Sequence, residues 1–201
     1  DWMAHAEKFP GLTTPDDSYH GVTYAKEFGK AAYITKATAQ LMRDFGSTPA
    51  PISSWIMGMH LESLGVRMER HCANAQKVAE WLAADPRVSW VSFPGLETDK
   101  YHALAEKYMP NGTCGVISFG VPGGREKVSA FLDHLKMVSI ATHVADARSC
   151  TLYPAGTTHR QLTEEQLEEA GVGIDLVRLS CGIENTADII ADLDQALAAV
   201  Q

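Results

Sequence analysis

The feature that most restricts the fold is a change of pattern at residues 84–86, where the letters ADP end a long helical stretch. Before this point, apolar residues recur at the three- and four-residue spacing of helices. After it, short β-rich runs alternate with helical segments of about ten residues. Because helices that alternate with strands pack as layers against a sheet, the sequence predicts an α/β fold.

The elements expected downstream of this change decide the kind of sheet. Strands are predicted at 88–93, 115–121, 137–144, 150–154 and 176–181. Helices are predicted at 100–108, 126–135, 164–170 and 186–199, with Thr163 capping the third of them. No helix separates the third strand from the fourth, so a mixed sheet is expected rather than a purely parallel one.

The upstream part of the chain is expected to be helical after an irregular start. Residues 1–24 are rich in Gly, Pro, Asp and Thr and predict an irregular arm. An amphipathic helix is predicted over 28–45, with Gly46 as its stop. A second, unusually long helical pattern runs over 51–84, and Gly65 marks a possible bend in it.

Composition and charge limit the classes of ligand. The formal net charge is -8 and no cluster of Lys and Arg is present, which argues against nucleic acid and anionic membrane surfaces. The longest apolar run, 114–121, is far too short to span a bilayer, and the first residues lack the features of a signal peptide. The sequence therefore favours a cytoplasmic protein that binds small molecules.

Metal and redox motifs are missing from the sequence. The cysteines at positions 72, 114, 150 and 181 form no CxxC pair, so each is predicted to be a small core residue. The eight His residues are dispersed, and no metal site is predicted. HExxH, GxSxG, P-loop and GxGxxG motifs are absent too, which removes support for most familiar enzyme classes.

Residues 143–162, HVADARSCTLYPAGTTHRQL, form the densest run of polar side chains. One interpretation is structural: Asp146 and Arg148 pair across a tight turn, and Thr157, Thr158 and His159 bond the loop backbone. The other interpretation is a pocket wall that includes His143, because loops at strand ends commonly bind ligands. The structural interpretation is favoured for this run by itself.

Arg178, in the predicted strand LVRLSCGIE, also has two interpretations. Its neighbours Val177 and Leu179 are expected to face the core, so Arg178 points to the opposite side of the sheet. If that side is covered, the guanidinium needs an anion, and its planar fork suits a carboxylate. The alternative is an ion pair with Asp175 or Glu184 at the ends of the strand.

Several motifs in one order carry a resemblance to a known family. The downstream motif is DARSCTLYPAGTTHRQLTEEQLEEAGVGIDLVRLSCGIENTADIIADLDQAL, and the upstream ones are YHGVTY, AYITKATAQLMRDFG, LESLGVRMERHCANAQKVAEWL and GVISFGVPGGREKVSAFLDHLK. Together they cover essentially the whole chain. The chain resembles the C-terminal half of the pyridoxal-phosphate (PLP) enzymes of cysteine and methionine metabolism, and among them the O-acetylhomoserine sulfhydrylases.

The resemblance implies a fold type I PLP enzyme, a homotetramer built from dimers with active sites at the dimer interface. Residues 1–70 would be the end of the large PLP-binding domain with the linking helix. Residues 71–201 would be the small C-terminal α/β domain, with a mixed, mostly antiparallel sheet covered by helices. The implied reaction replaces the acetate of O-acetyl-L-homoserine by sulfide or a thiol to give homocysteine or a thioether.

The resemblance also assigns roles to single residues. Arg178 matches the arginine that holds the substrate α-carboxylate, and the turn around Asp146 matches the loop that closes over the same group. His143 stands in that loop where many relatives carry Asn or Ser. The three residues Arg178, His143 and Asp146 are therefore the predicted substrate-binding set.

No catalytic residue is predicted within the chain itself. The Schiff-base lysine of the family lies in a Ser-x-Thr-Lys type motif expected upstream, and Lys36 belongs to a different, helical motif. PLP would therefore be anchored mainly by the other half of the enzyme. The remaining alternatives are a methionine γ-lyase, a cystathionine γ-synthase-like enzyme, and an α/β module without catalytic activity.

Overall fold

A computed structural model describes all residues 1–201, which divide into two compact units, Asp1–His60 and Leu61–Gln201. The helices are α1 Pro10–Thr13, α2 Tyr24–Phe28, α3 Ala32–Lys36, α4 Arg43–Phe45, α5 Pro51–Glu62, α6 Leu64–Ala84, α7 His102–Tyr108, α8 Gly124–His134, α9 Glu164–Glu169 and α10 Thr186–Ala198. The strands are β1 Val91–Ser92, β2 Val116–Gly120, β3 Ser139–Ile140, β4 Cys150–Leu152 and β5 Leu176–Ser180. The division predicted near residue 70 concerns the complete enzyme and stays a prediction.

The first unit is a chain of short helical turns. One turn of π-helix, Ala37–Met42, joins α3 to α4, and Gly46 ends the run in the left-handed conformation with a φ of 65°. Glycine adopts this conformation without a Cβ clash, so the predicted stop is confirmed. The helical run begins at Tyr24 rather than at residue 28, and an irregular turn at Gly29 interrupts it.

The predicted amphipathic character of this run is wrong in one respect. Its apolar residues were expected to face a core, but Ile34 is 61% exposed and Phe45 is 79% exposed. The small core of the first unit instead consists of Leu12, Tyr24, Ala25 and Ala32. The spacing of apolar residues predicted the helix correctly but did not predict which surface covers them.

The long helical pattern is broken once, at Ser63, which separates α5 from α6. A bend was predicted at Gly65, and the interruption lies two residues before it. Helix α5 buries none of its residues. Helix α6 behaves as a core helix, because Ala75, Val78 and Leu82 on one stripe are fully buried.

The second unit contains a five-stranded sheet in the order β1-β2-β5-β4-β3. Three strand pairs are antiparallel, and only β3 and β4 run parallel. The predicted mixed, mostly antiparallel sheet is therefore confirmed. Ile117 pairs with Leu179 and Phe119 with Val177, which places four buried apolar side chains of β2 and β5 on one face.

Helices α6, α8 and α10 supply most of the apolar residues that join this sheet face in a single core. The buried members include Val78, Leu82, Val128, Phe131, Ile189 and Leu193. The predicted cap at Thr163 is confirmed: its hydroxyl accepts from Gln166 N–H, and the Gln166 side chain accepts from Thr163 N–H. This reciprocal pair satisfies two donors at the start of α9.

The cysteines are all free thiols. Cys150 and Cys181 are buried, as predicted, whereas Cys72 and Cys114 are only half-buried. Burial raises the pKa of Cys72 and Cys150, and it raises the pKa of Cys181 to about 12. Because the thiolate is the reactive form, these three cysteines are poor nucleophiles.

No helix of the chain is both long enough and apolar enough to cross a bilayer.

Candidate functional site

Arg178 lies in the middle of β5, on the face of the sheet opposite the core. Its neighbours Val177 and Leu179 are fully buried in the core, whereas Arg178 is half-buried. The register places Ser118 of β2 and Leu152 of β4 beside it. The alternation of strand side chains therefore brings one cation to the centre of the other sheet face.

The guanidinium of Arg178 has no carboxylate partner in this chain. Its Nη2 donates to the carbonyl oxygen of Thr142 at 3.2 Å. Asp175 instead accepts from Trp90 Nε1 at 2.9 Å and from Ser89 at 3.1 Å, and Glu184 is bound elsewhere. The alternative of an ion pair with Asp175 or Glu184 is therefore wrong, and most of the guanidinium donors remain available to an anion.

The segment that contacts this arginine is residues 142–148, which we call the clamp loop. Thr142 at its start provides the carbonyl that Arg178 contacts, and His143 follows directly. His143 is exposed and its ring makes no hydrogen bond within the chain. The structure thus brings His143 to the same loop that contacts Arg178, with its imidazole free.

Two backbone contacts fasten the clamp loop to the end of β5. Ala145 N–H donates to the Ser180 hydroxyl at 3.1 Å, and Ile183 N–H donates to the Ala147 carbonyl at 2.9 Å. Ala145 has a φ of 57°, a left-handed conformation that costs an alanine about 1 kcal/mol or more. Such a conformation persists only where the surroundings fix it, and these contacts do so.

Asp146 shapes the clamp loop from within. Its Oδ1 accepts from Arg148 N–H at 2.9 Å, and the Arg148 Nε lies 3.8 Å away. This is the turn pair expected from the sequence. Asp146 forms no hydrogen bond or ion pair with Arg178, so the structure gives it a role in the shape of the loop rather than a position beside the guanidinium.

Glu184 and Ser149 form a partly buried junction at the downstream end of the clamp loop that the sequence did not reveal. Glu184 Oε1 accepts from Ser149 N–H at 2.6 Å, and Oε2 accepts from the Ser149 hydroxyl at 3.0 Å. The same hydroxyl accepts from Gly182 N–H at 2.9 Å. The N–H and the hydroxyl of the fully buried Ser149 are therefore both satisfied at this junction.

Polar residues of α6 hold the other side of this junction. Asn74 is fully buried and donates to the carbonyls of Gly182 and Glu184, both at 2.9 Å. Its Oδ1 accepts from the Thr186 hydroxyl at 2.6 Å, and Arg70 Nη2 donates to the Glu184 carbonyl at 2.9 Å. One signal was available in the sequence: a polar Asn beside Ala75 in an otherwise apolar helix stripe.

His71 provides one more contact between α6 and the end of β5. Its Nδ1 lies 2.6 Å from the Cys181 carbonyl, which accepts only, so Nδ1 carries the proton. Its Nε2 is buried and has no hydrogen-bond partner. The orientation of the ring is therefore fixed by the backbone at the end of β5.

The rest of the polar run, residues 153–160, ties its own loop together. The Thr157 hydroxyl donates to the Tyr153 carbonyl at 2.6 Å, and Thr158 bonds the His159 ring at 2.9 Å. Arg125 Nη1 donates to the Ala155 carbonyl at 2.9 Å. The predicted bond to the loop backbone is confirmed for the Thr157 side chain, whereas the side chains of Thr158 and His159 bond each other.

Lys36 is engaged within the first unit. Its Nζ donates to the Gly11 carbonyl at 2.7 Å and to Asp16 Oδ2 at 2.8 Å. The hydrogen bond from Lys36, helped by one from Ser18, lowers the pKa of Asp16 to about 2. An ammonium held in this way is not free to form a Schiff base.

A groove of about 550 Å³ lies beside α6 and α7, and Cys72, His102 and Gly112 are among its lining residues. Arg178, His143 and Asp146 do not line it. No group of three or more His, Cys, Asp or Glu side chains is arranged to hold a metal ion. The unpaired Arg178 under the clamp loop is therefore the site with the clearest ligand chemistry.

The chain is similar to several proteins of known description. The chain is 44% identical to the O-acetyl-L-homoserine sulfhydrylase of Leptospira meyeri, over 94% of this chain and 45% of that protein. It is 42% identical to the homocysteine synthase of Schizosaccharomyces pombe, over 98% of this chain and 46% of that protein. The chain thus spans about half the length of these relatives.

A solved structure agrees in fold. It is a Campylobacter jejuni protein described as an O-acetylhomoserine (thiol)-lyase, in which a lysine carries a pyridoxyl monophosphate. The TM-score is 0.86 at 36% identity, over 96% of this chain and 45% of that one. Residues 16–198 also match the family described as Cys/Met metabolism PLP-dependent enzyme, and the chain belongs to that family.

Proposed function

We propose that this chain is the C-terminal portion of a PLP-dependent O-acetyl-L-homoserine sulfhydrylase. The complete enzyme would replace the acetate on the γ carbon by sulfide or a thiol and give homocysteine or a thioether. The observation that carries the proposal is the guanidinium of Arg178, which no carboxylate of the chain neutralises. The relatives named as sulfhydrylases and homocysteine synthases supply the reaction class.

Arg178 binds the α-carboxylate of the substrate in this proposal. Its fork of donors matches the two carboxylate oxygens, and its single bond to Thr142 orients the guanidinium. His143 lines the entrance and donates a hydrogen bond from its free ring to the same carboxylate. Asp146 keeps the turn closed, and its own negative charge is engaged by the Arg148 N–H.

The residues around Arg178 fit a substrate rather than the cofactor. Thr142, His143, Asp146 and Ser180 include no amine for the PLP aldehyde, and Lys36 is engaged elsewhere. PLP, when bound in the complete enzyme, serves as an electron sink for the substrate carbanion. We infer that another part of the protein anchors it, while this chain holds and orients the carboxylate end of the substrate.

The isolated 201-residue chain is expected to be inactive. Mixed with PLP, it should not develop the visible absorbance of lysine-bound cofactor, because its residues offer no suitable amine at the site. Absorption spectra of the chain with and without PLP test this expectation. A clear band that disappears when one lysine is replaced would contradict it.

The reaction itself is tested on the full-length gene product. Given O-acetyl-L-homoserine and sulfide, the enzyme should form homocysteine and acetate. The same preparation should release little 2-oxobutyrate from methionine alone and form little cystathionine with cysteine. Preference for methionine would assign a γ-lyase, preference for cysteine a cystathionine γ-synthase, and no turnover of any substrate a module without catalytic activity.

The assembly and the location are also proposals. We infer a homotetramer in the cytoplasm. The assembly is supported by exposed apolar surface on α5. This helix buries none of its residues, and Ile52, Trp55 and Met57 are all more than half exposed. Exposed patches of this kind are usually covered by other protein surface. The native mass of the full-length gene product, by light scattering, tests the assembly, and a monomer would contradict it.

A further inference from the structure

We propose that Glu184 is a positioning residue: through Ser149 it fixes the clamp loop over Arg178 and so sets the affinity for the substrate carboxylate. The inference rests on the proposed function, because it concerns the same carboxylate site. No hydrogen bond or ion pair joins the side chains of Glu184 and Arg178. Its effect is therefore transmitted through the backbone of the loop.

The downstream end of the clamp loop is held through Ser149. Ser149 directly follows the loop and begins the approach to β4. Its backbone N–H and its hydroxyl both donate to the carboxylate of Glu184, at 2.6 and 3.0 Å. Hydrogen bonds to an ionised acceptor are stronger than neutral ones, so this carboxylate strengthens the hold on the downstream end of the loop beyond the bond from Ile183 N–H to Ala147.

Glu184 is itself held through its backbone carbonyl. The carbonyl of Glu184 accepts from Arg70 Nη2 and from Asn74 Nδ2, both at 2.9 Å. These donors belong to α6, which is packed into the core through Ala75 and Val78. The position of Glu184 is thus fixed by α6, and its carboxylate in turn fixes the position of Ser149.

The clamp loop packs closely against Gly182. A Cβ on Gly182 would lie 2.5 Å from the Ala147 carbonyl oxygen and 2.5 Å from the Arg148 carbonyl carbon. Both atoms belong to the clamp loop, so only a glycine permits the observed contact. Residues 182–184 therefore determine where the loop can lie.

The clamp loop and Arg178 are both positioned by β5 and the residues that follow it. Residues 182–184 follow β5 directly, and β5 carries Arg178. The strand thus places the guanidinium, while Glu184 at its end places the loop whose Thr142 carbonyl orients that guanidinium. Loss of the Glu184 carboxylate would release the loop while the pairing of β4 with β5 stays intact.

The experiment measures KM and kcat for O-acetyl-L-homoserine, together with the urea midpoint, in the full-length gene product. Glu184→Ala should raise KM at least roughly fivefold with kcat within about twofold of wild type, because binding geometry is lost rather than chemistry. Glu184→Gln keeps one acceptor for Ser149 N–H and should raise KM by a smaller factor. If the alanine variant fails to fold, the glutamine variant decides.

Asp192→Asn is the matched structural control. Asp192 is a buried carboxylate that, like Glu184, accepts from backbone N–H groups, here those of Lys136, Met137 and Val138. No hydrogen bond joins these three residues to Arg178. Asp192→Asn should lower the urea midpoint and leave KM unchanged. If the Glu184 variants behave in the same way, Glu184 is only structural and the inference is overturned.

Arg178→Lys in the same assay separates the two levels of the proposal. If Arg178→Lys raises KM and the Glu184 variants do not, only the positioning role fails. If Arg178→Lys leaves KM unchanged, the carboxylate site itself is wrong, and the inference about Glu184 falls with it. A rise of KM in both sets of variants supports both levels.

Discussion

The two compact units reach order by different means. Residues 61–201 enclose a single large apolar core between a sheet and its helices. Residues 1–60 bury only Leu12, Tyr24, Ala25 and Ala32, and they rely on polar contacts such as the pair of Lys36 and Asp16. The candidate site lies in the unit with the large core, where a rigid framework can hold a loop in a strained conformation.

The difference also teaches where apolar surface has been left open. In the first unit, Tyr33, Ile34, Phe45 and Trp55 are all more than half exposed. In the second unit Ile117 and Phe119 of β2, with Val177 and Leu179 of β5, are fully buried. The second unit also exposes apolar side chains, such as Val66 at 67%, but it has a large core as well. We infer that the first unit depends more strongly on further protein contacts for its stability.

The largest expected effect comes from the core of the second unit. Leu179→Ala removes a fully buried side chain at the centre of the sheet and should lower the free energy of unfolding by about 2–5 kcal/mol. Leu12→Ala, in the small core, should lower it by less. Hydrogen exchange measures the loss in unfolding free energy for each variant, from amides in β2 and β5 for Leu179→Ala and from amides in 1–60 for Leu12→Ala. Equal losses in the two variants would contradict the difference in core size between the units.

A smaller effect is expected at Asp192, the carboxylate that ties residues 136–138 to α10. Burial raises its pKa, but the hydrogen bonds from Val138, Lys136 and Met137 outweigh burial and the net pKa is lowered. Asp192→Asn should cost about 1.5–3 kcal/mol near neutral pH, because an amide accepts fewer of these bonds.

The lowered pKa of Asp192 also fixes the direction of a pH effect. A carboxyl with a lowered pKa stabilises the folded state above its unfolded pKa, near 3.8, and this stability is lost as the pH falls. Urea titrations between pH 7 and 3 should therefore show a steeper loss in wild type than in Asp192→Asn. If the stability of wild type and of Asp192→Asn falls in parallel with pH, the pKa of Asp192 is not lowered in the folded state.

The smallest effect concerns Lys36 and Asp16 in the first unit. Lys36→Met removes the main cause of the lowered pKa of Asp16, which should rise from about 2 toward its ordinary value of 3.8. The side-chain carboxyl resonance, followed by NMR against pH, reports the change. Lys30→Met, an exposed lysine without a bond to Asp16, serves as the control and should leave the Asp16 titration in place.

Local signals in the sequence predicted most of the fold. Gly46 as a helix stop, Thr163 as a cap and the strands around Ile117 and Leu179 were all found from patterns within a few residues. The exposed faces of the helices in 1–60 were missed. A spacing of apolar residues defines a face, but it does not say what covers that face.

The candidate site was only partly predictable. Arg178 was identified because a lone arginine between two core residues must point away from the core. The junction of Glu184 with Ser149 was missed, since the two residues are 35 positions apart and only the folded sheet joins them. Asn74 is still farther from its partners at Gly182 and Glu184, 108 and 110 positions away.

The central claim is that Arg178 is kept free for a substrate carboxylate, and a second arginine of the same unit provides the comparison. Arg87 is fully occupied: its Nε and Nη2 donate to Asp85, and Nη2 also donates to Asp194 at 2.5 Å. Both arginines keep their charge but lose the planar fork when they are changed to lysine.

The decisive measurement is kcat/KM for O-acetyl-L-homoserine together with the urea midpoint, for Arg178→Lys and Arg87→Lys in the full-length gene product. We predict that Arg178→Lys lowers kcat/KM at least about tenfold, or about 1.4 kcal/mol, with little change in midpoint. Arg87→Lys should lower the midpoint and keep kcat/KM. A loss of midpoint without loss of kcat/KM for Arg178→Lys would contradict the account.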